Sequence, residues 1–354
     1  MSGSNEQLWF RLVEAGVVRG TPPEKTDSES PWYVKLLLAF SGWLAALFFL
    51  GFFSVGLQFV LDSSLLASVA GGLLIGGAFA VLRTPKNEFL EHLSLAVSLA
   101  GQGLVVFALV KAADGNEEIV WILLALLQAL LAFVMPSFVH RVFSSLVAAV
   151  AFGMALTSWG WSQLVGGLVM FPAAVCWLDE FRNPRWMERR RAFGYGLVLA
   201  LILLKGTAIF GYEMTGWHVR EARFSAGPWL GELLTGVVVL FVVGRLLHRH
   251  GHRISEPVSI FALSGTLLFC IVSMKAQGLS VGLVVLLLGF AGSNRVLQGL
   301  GILSLLFYIS TYYYLLDATL LIKSLNLLVV GLVLLLLRWL MSLLLPMAKE
   351  DGHV

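Results

Sequence analysis

Charge is what this chain has least of: Asp, Glu, Lys and Arg make up 13% of its 354 residues, about half the share of an ordinary globular domain. A net charge of +3 is too small to recruit nucleic acid, and the basic residues sit in short segments rather than along one patterned face. Cysteine is nearly missing as well. Cys176 and Cys270 both lie inside apolar runs, which excludes a disulfide framework and thiolate metal spacing. A thiolate in lipid is disfavoured, so both read as small buried hydrophobes. Catalytic signatures are absent too: no glycine loop before a lysine, no nucleophile elbow, no zinc-protease helix. No catalytic residue, metal site or cofactor is therefore expected, and the chain reads as a non-enzyme, with intramembrane catalysis left open.

What is present is grease. Hydrophobic residues make up 58% of the sequence, gathered into eleven apolar stretches long enough to meet a bilayer. A hydrocarbon core of about 30 Å takes about 20 helical residues, and the pattern predicts spans at 34–60, 64–82, 92–110, 119–137, 141–157, 161–178, 192–211, 228–247, 257–274, 279–292, 296–316 and 318–344. The uncharged run Val142–Leu178 is 37 residues long, too long for one helix. It is split at Trp159-Gly160-Trp161, where glycine between two interface-seeking indoles reads as a surface turn. Span 279–292 is the weakest, and whether it crosses fully stays open. The expected fold is all-α: a polytopic helical transmembrane bundle of about twelve spans.

Lysine and arginine set the orientation. Of the 24, eighteen fall on one set of alternating segments and four on the other (Lys111, Arg220, Arg223 and Lys275), with Lys205 and Lys323 inside spans. Under the positive-inside rule this places both termini in the cytoplasm. Residues 1–31 are polar and of mixed charge, unlike a cleavable leader. Within them Leu8, Trp9, Leu12 and Val13 recur at helical spacing before Gly16, which predicts a short amphipathic helix and a linker, resting on the membrane or docking a partner. Residues 32–346 form the transmembrane domain and 347–354 a cytoplasmic tail. The basic loop Asp179–Arg191 divides the domain into possible halves, 32–178 and 192–346. No shared residues relate the halves, and the loop Arg83–His92 lacks the signature of two-lobed transporters.

Ionisable groups within spans are costly and draw a functional reading. Lys205, Glu232, Asp317 and Lys323, with Ser324 beside the last, fall in the outer half. Lys205 and Glu232 lie on consecutive antiparallel helices at similar depth, so an ion pair between them is expected. Snorkelling lysines and a dipole-favoured Glu232 explain the same residues without function; a polar outward site for an anionic headgroup or coupling proton is the alternative. Tyr308, Tyr312, Tyr313 and Tyr314 read as an outer aromatic belt or as a wall for a ligand or partner helix. The outer loop Gly211–Gly227 offers Trp217, His218, Arg220, Glu221 and Arg223 as partner contacts. Arg189, Arg190, Arg191, Arg249 and Arg253 are expected to attract anionic inner-leaflet lipid. The His248–Arg253 loop reads as solvated, with no carboxylate or thiolate to complete a metal site. Glycines at 71, 72, 76 and 77 predict close helix contact within the bundle.

The stretch Tyr312-Tyr313-Tyr314-Leu-Leu-Asp-Ala-Thr319-Leu-Leu-Ile-Lys323-Ser324, followed by Gly331 and Leu-Leu-Leu-Leu-Arg338-Trp339, resembles a family of bacterial inner-membrane proteins labelled domain of unknown function 4401. The N-terminal pattern Leu8-Trp9, Leu12, Ala15-Gly16-Val17 is similar too. The resemblance is most specific over about residues 305–340. It implies a bacterial inner-membrane location, Lys323, Ser324 and Arg338 as the family's polar positions, and a membrane-anchored partner carrying a GDYXXLXY motif. It implies no substrate. The expected function is thus a non-enzymatic component of an envelope complex that binds its partner at the outer face. The alternative is a transporter or lipid-handling protein.

Overall fold

A computed structural model describes residues 58–84, 88–214, 229–253, 255–274 and 278–315 continuously, with residues 9–11, 13–16, 319–322 and scattered positions over 34–52 and 324–335. No strand occurs among the described residues. Among the continuously described residues eleven helices follow one another: α1 (Gln58–Asp62), α2 (Ser64–Leu82), α3 (Glu88–Ala112), α4 (Glu117–Val134), α5 (Phe138–Ser158), α6 (Val165–Leu178), α7 (Pro184–Met214), α8 (Trp229–Arg249), α9 (Pro257–Ser273), α10 (Leu279–Ala291) and α11 (Arg295–Leu315). Single 3-10 turns precede α6 and α7 at Ser162–Leu164 and Glu180–Arg182.

Five of these segments are long and apolar enough to cross a membrane: Ser64–Leu82, Leu90–Ala112, Glu117–Val134, Phe138–Ser158 and Leu230–Arg249. Shorter apolar helices are Ser162–Leu178, Pro257–Ile271, Leu279–Ala291 and Arg295–Thr311, and α10, with thirteen residues, reaches only about 20 Å. The predicted spans 34–60 and 318–344 lie largely outside the described residues. Large apolar side chains on the outer surface, such as Leu65, Leu73, Leu126, Leu130 and Phe290, are well exposed, as expected where lipid tails take the place of water. Such helices gain little from hiding grease from one another; close packing and internal polar bonds hold them together.

Local chemistry sets the ends. Asn116 caps α4 by accepting from the Ile119 amide at 3.3 Å, and Glu117 and Glu118 follow in its first turn, where the helix dipole favours acids. Asn294 Oδ1 accepts from the Val296 and Leu297 amides at 3.1 and 3.2 Å, starting α11. Its amide nitrogen donates to the Tyr195 hydroxyl at 2.7 Å, tying that corner to α7. Trp159-Gly160 forms the turn between α5 and the next element, with Gly160 at φ +81° and both flanking indoles exposed. The short N-terminal helix ends at Gly16, φ +69°.

α2 and α3 form a hairpin that meets backbone to backbone: a Cβ at Gly71 would lie 2.5 Å from the Gly101 carbonyl oxygen. The glycines predicted to pack therefore divide, because for Gly72, Gly76 and Gly77 no described heavy atom comes within 4 Å of such a Cβ. Lys111 at the end of α3 donates to the carbonyls of Leu61 and Asp62 at 3.0 and 2.7 Å, closing α1. α5, α7, α8 and α10 pack around α6. Its Val169, Met170, Ala173 and Ala174 are almost fully buried against Val198 and Leu201 of α7, Val238, Val239 and Val242 of α8, and Val281, Val284 and Leu288 of α10. That dry core is the frame on which the polar groups are set.

Candidate functional site

Lys205 stands in the last third of α7 and Glu232 in the first turn of α8. Their side chains cross the top of the dry core and meet, with Nζ 2.8 Å from Oε1. Glycine at 166 on α6 leaves the room they need, since a Cβ there would sit 2.8 Å from the lysine Cε. The side chains are 15% and 7% exposed. Thr235, one turn further along α8, is buried and donates to the Gly231 carbonyl at 2.7 Å. The pair is thus a three-helix junction in which each charge is compensated by the other.

The other proposed residues scatter. Asp317, Lys323, Trp217, Arg220 and Arg223 lie outside the described residues, as does the side chain of Tyr312. Ser324 is exposed and donates to the Leu321 carbonyl at 2.9 Å. Tyr313 and Tyr314 form a T-shaped ring pair with centroids 6.0 Å apart, and Tyr314 projects outward at 81% exposure. Tyr308 corrects the expectation of an aromatic surface. It is 1% exposed, its hydroxyl donates to the Ile202 carbonyl at 3.1 Å, and its ring lies where a side chain on Gly278 would be. The ring faces inward because α11 turns that side to α7 and α10, so it fills the interior and presents no surface to a partner.

At the opposite end, the arginines are partly committed within the chain. Arg190 donates to the Asp179 carbonyl. Arg191 Nε lies 2.6 Å from Oε1 of Glu180, which is 1% exposed; this is an ion pair without the alignment of a hydrogen bond. Arg245 of α8 reaches Asp179 at 3.1 Å. Arg189 stacks over Trp186 at 5.0 Å, and Arg249 and Arg253 are exposed. In the following loop His252 Nδ1 contacts Glu256 Oε2 at 2.8 Å. That contact, then a backbone hydrogen bond at Arg253, holds the Glu256 carboxyl below its ordinary range. Among the described residues no cluster of His, Cys, Asp or Glu is placed to hold a metal ion.

One group of residues escaped the sequence reading. Ser98, Gln102, Gln128, His140 and Ser144 are each at most 3% exposed and meet between α3, α4 and α5. Ser98 Oγ lies 2.8 Å from His140 Nε2 and Ser144 Oγ 3.1 Å from Nδ1; Gln128 Nε2 donates to Gln102 Oε1 at 2.8 Å. The signal was there: Glu91, Ser94, Ser98 and Gln102 recur every three or four residues on one side of α3, and His140 falls one residue before the predicted fifth span.

Long apolar helices, lipid-facing grease and polar groups confined to internal junctions define a helical membrane protein. Its family is equally plain: the model described as "Domain of unknown function (DUF4401)" matches residues 31–344, and the chain belongs to that family. The likeness read from residues 305–340 therefore extends over nearly the whole chain. No curated protein and no solved structure matches it.

Proposed function

We propose that this chain is a non-enzymatic, multi-pass component of a bacterial inner-membrane complex, with about twelve spans, both termini cytoplasmic, and a partner bound at its outer face. The observation that carries the reading is the closed junction at Lys205 and Glu232. Charges that lined an open pathway would present their heads to water, whereas these neutralise each other across a glycine-sized gap and lock α6, α7 and α8. A bundle filled in this way is a platform. Docking then falls to outer elements: Tyr313 and Tyr314, Asp317 and Lys323, and the loop bearing Trp217, Arg220 and Arg223. The partner class follows from the family resemblance, a membrane-anchored protein carrying a GDYXXLXY motif. On the inner side Arg189, Arg249 and Arg253 remain available to anionic lipid.

Photo-crosslinking from position 313 or 217 in intact membranes tests the reading. One dominant protein adduct is expected; adducts with lipid alone would remove it. The second reading, transport or lipid handling with Lys205, Glu232 and Lys323 on the pathway, draws on the same pair, since a 15% exposed lysine retains some access from outside. Unchanged lipid distribution and solute uptake in Lys205→Met would dispose of that reading.

A further inference from the structure

We propose that the cluster between α3, α4 and α5 is a proton-binding site, with His140 Nε2 as the acceptor and the polar side of α3 as its approach. The foot of the approach is Glu91, whose Oε1 accepts from Ser137 Oγ at 2.9 Å beside the start of α5. Ser94, Ser98 and Gln102 continue upward, all buried, over about 17 Å from position 91 to 102. Beyond them α3 runs Leu104 to Val110 without a polar side chain. The polar line begins at the half-buried Glu91 in the first turn of α3 and stops inside the bundle.

The hydrogen bonds all point one way. Gln102 Nε2 donates to Ser98 Oγ at 3.3 Å and lies 3.2 Å from His140 Nε2, so that ring nitrogen accepts. The ring proton then sits on Nδ1, facing Ser144. Gln102 Oε1 accepts from Gln128, and Gln128 Oε1 is buried with no partner. Most buried polar atoms are paired, and this network leaves the Gln128 oxygen over, so that amide can turn without losing a second bond.

A proton delivered by hydronium to the Nε2 lone pair forms one N–H bond and leaves water behind. Nε2–H then faces the Gln102 amide donors, and the clash is relieved when both glutamines turn over. Nε2–H now donates to Ser98 Oγ and Gln102 Oε1, and Gln102 Nε2 donates to Gln128 Oε1, while the Gln128 amide nitrogen takes the place of the oxygen that had no partner. An imidazolium within a bilayer is costly, and the reversed line of dipoles is what offsets it. The charged groups around the site are few: Glu91 and His92 on α3, Arg141 on α5, and Glu188 and Arg189 on α7, with Glu188 3.9 Å from Arg141. α4 contributes none on this side. Which compartment supplies the proton follows the orientation proposed above; the site does not depend on it.

The test is nitrogen-15 NMR of the full chain in lipid nanodiscs with labelled histidine and glutamine. His140→Gln assigns the ring; should that variant not fold, a chain with the other six histidines replaced leaves His140 as the one labelled imidazole. A neutral ring protonated at Nδ1 is expected at about pH 8, converting to imidazolium as the sample is acidified to about pH 3, with the side-chain amides of Gln102 and Gln128 moving at the same midpoint. A ring that stays neutral over that range, a neutral ring protonated at Nε2, or a titration that leaves both amides unmoved would each overturn the proposal.

Discussion

Lys205 and Glu232 bind each other across consecutive antiparallel helices, Nζ to Oε1 at 2.8 Å, beside a core rich in valine and alanine. Removing either partner strands the other in a low-dielectric site. Glu232→Gln or Lys205→Met should cost about 3–5 kcal/mol of stability, read as a lowered unfolding midpoint in detergent or nanodiscs. Replacing both with apolar residues should restore most of the loss, giving a strong coupling in a double-mutant cycle. Single variants as stable as the parent would mean that the contact does not form.

That contact was legible in the sequence because it needed only two facts: the helices are consecutive, and the residues lie at similar depth. Helix limits were legible for the same reason. An unbroken apolar run such as 64–82 has its ends fixed by where charge returns, and α2 occupies Ser64–Leu82. The indole-glycine-indole turn was visible because Gly160 needs a left-handed backbone there. What stayed hidden was facing. Ser94, Ser98 and Gln102 are outweighed by their apolar neighbours, which keep the mean hydropathy of Leu90–Ala112 at 2.1, so the buried side of α3 passed as ordinary span. Tyr308 was assigned to a surface by depth alone, when its side of α11 looks inward. Asp179 and Glu180 looked like loop charges and prove to hold four arginines, Arg182, Arg191 and Arg245 through their carboxylates and Arg190 through the Asp179 carbonyl.

The α2–α3 hairpin distinguishes contact glycines from exposed ones. Gly71→Ala drives a methyl against the Gly101 carbonyl, backbone that cannot swing aside, and should destabilise by about 1–3 kcal/mol. Gly72→Ala meets no described atom within 4 Å and should gain about 0.5–1 kcal/mol from helix propensity. Opposite signs in thermal unfolding are the expected result, and equal effects would mean the hairpin packs on another face.

Outside the spans, Glu256 gives a pH signature. Its carboxyl is held below the ordinary value of 4.5, first by the His252 contact and then by the backbone at Arg253. A depressed carboxylate stabilises the fold fully above the unfolded value, and that contribution is lost as pH falls through the folded one. His252→Ala should therefore move the Glu256 titration, followed by carbon-13 NMR, back up towards 4.5. A curve that does not shift would show that the imidazole is not what holds it.

The corner before α10 makes the sharpest demand on a single residue. Gly278 sits at φ +95°, a region that a side chain enters only with strain, and a Cβ there would also fall 2.5 Å from the Tyr308 ring. Two penalties thus act together on Gly278→Ala, backbone strain of about 1–3 kcal/mol and displacement of a ring buried to 1% exposure. Tyr308→Phe separates the ring from its hydroxyl: it keeps the packing, loses the bond to the Ile202 carbonyl, and should cost only about 1 kcal/mol. Tyr308→Ala removes both and should cost about 3–5 kcal/mol. If Gly278→Ala is combined with Tyr308→Ala, the ring is no longer there to collide with the methyl. The double variant should then be less destabilised than the sum of the two singles, by the share that came from collision and not from φ. Strict additivity would place the whole cost in the backbone and deny that Tyr308 closes this corner.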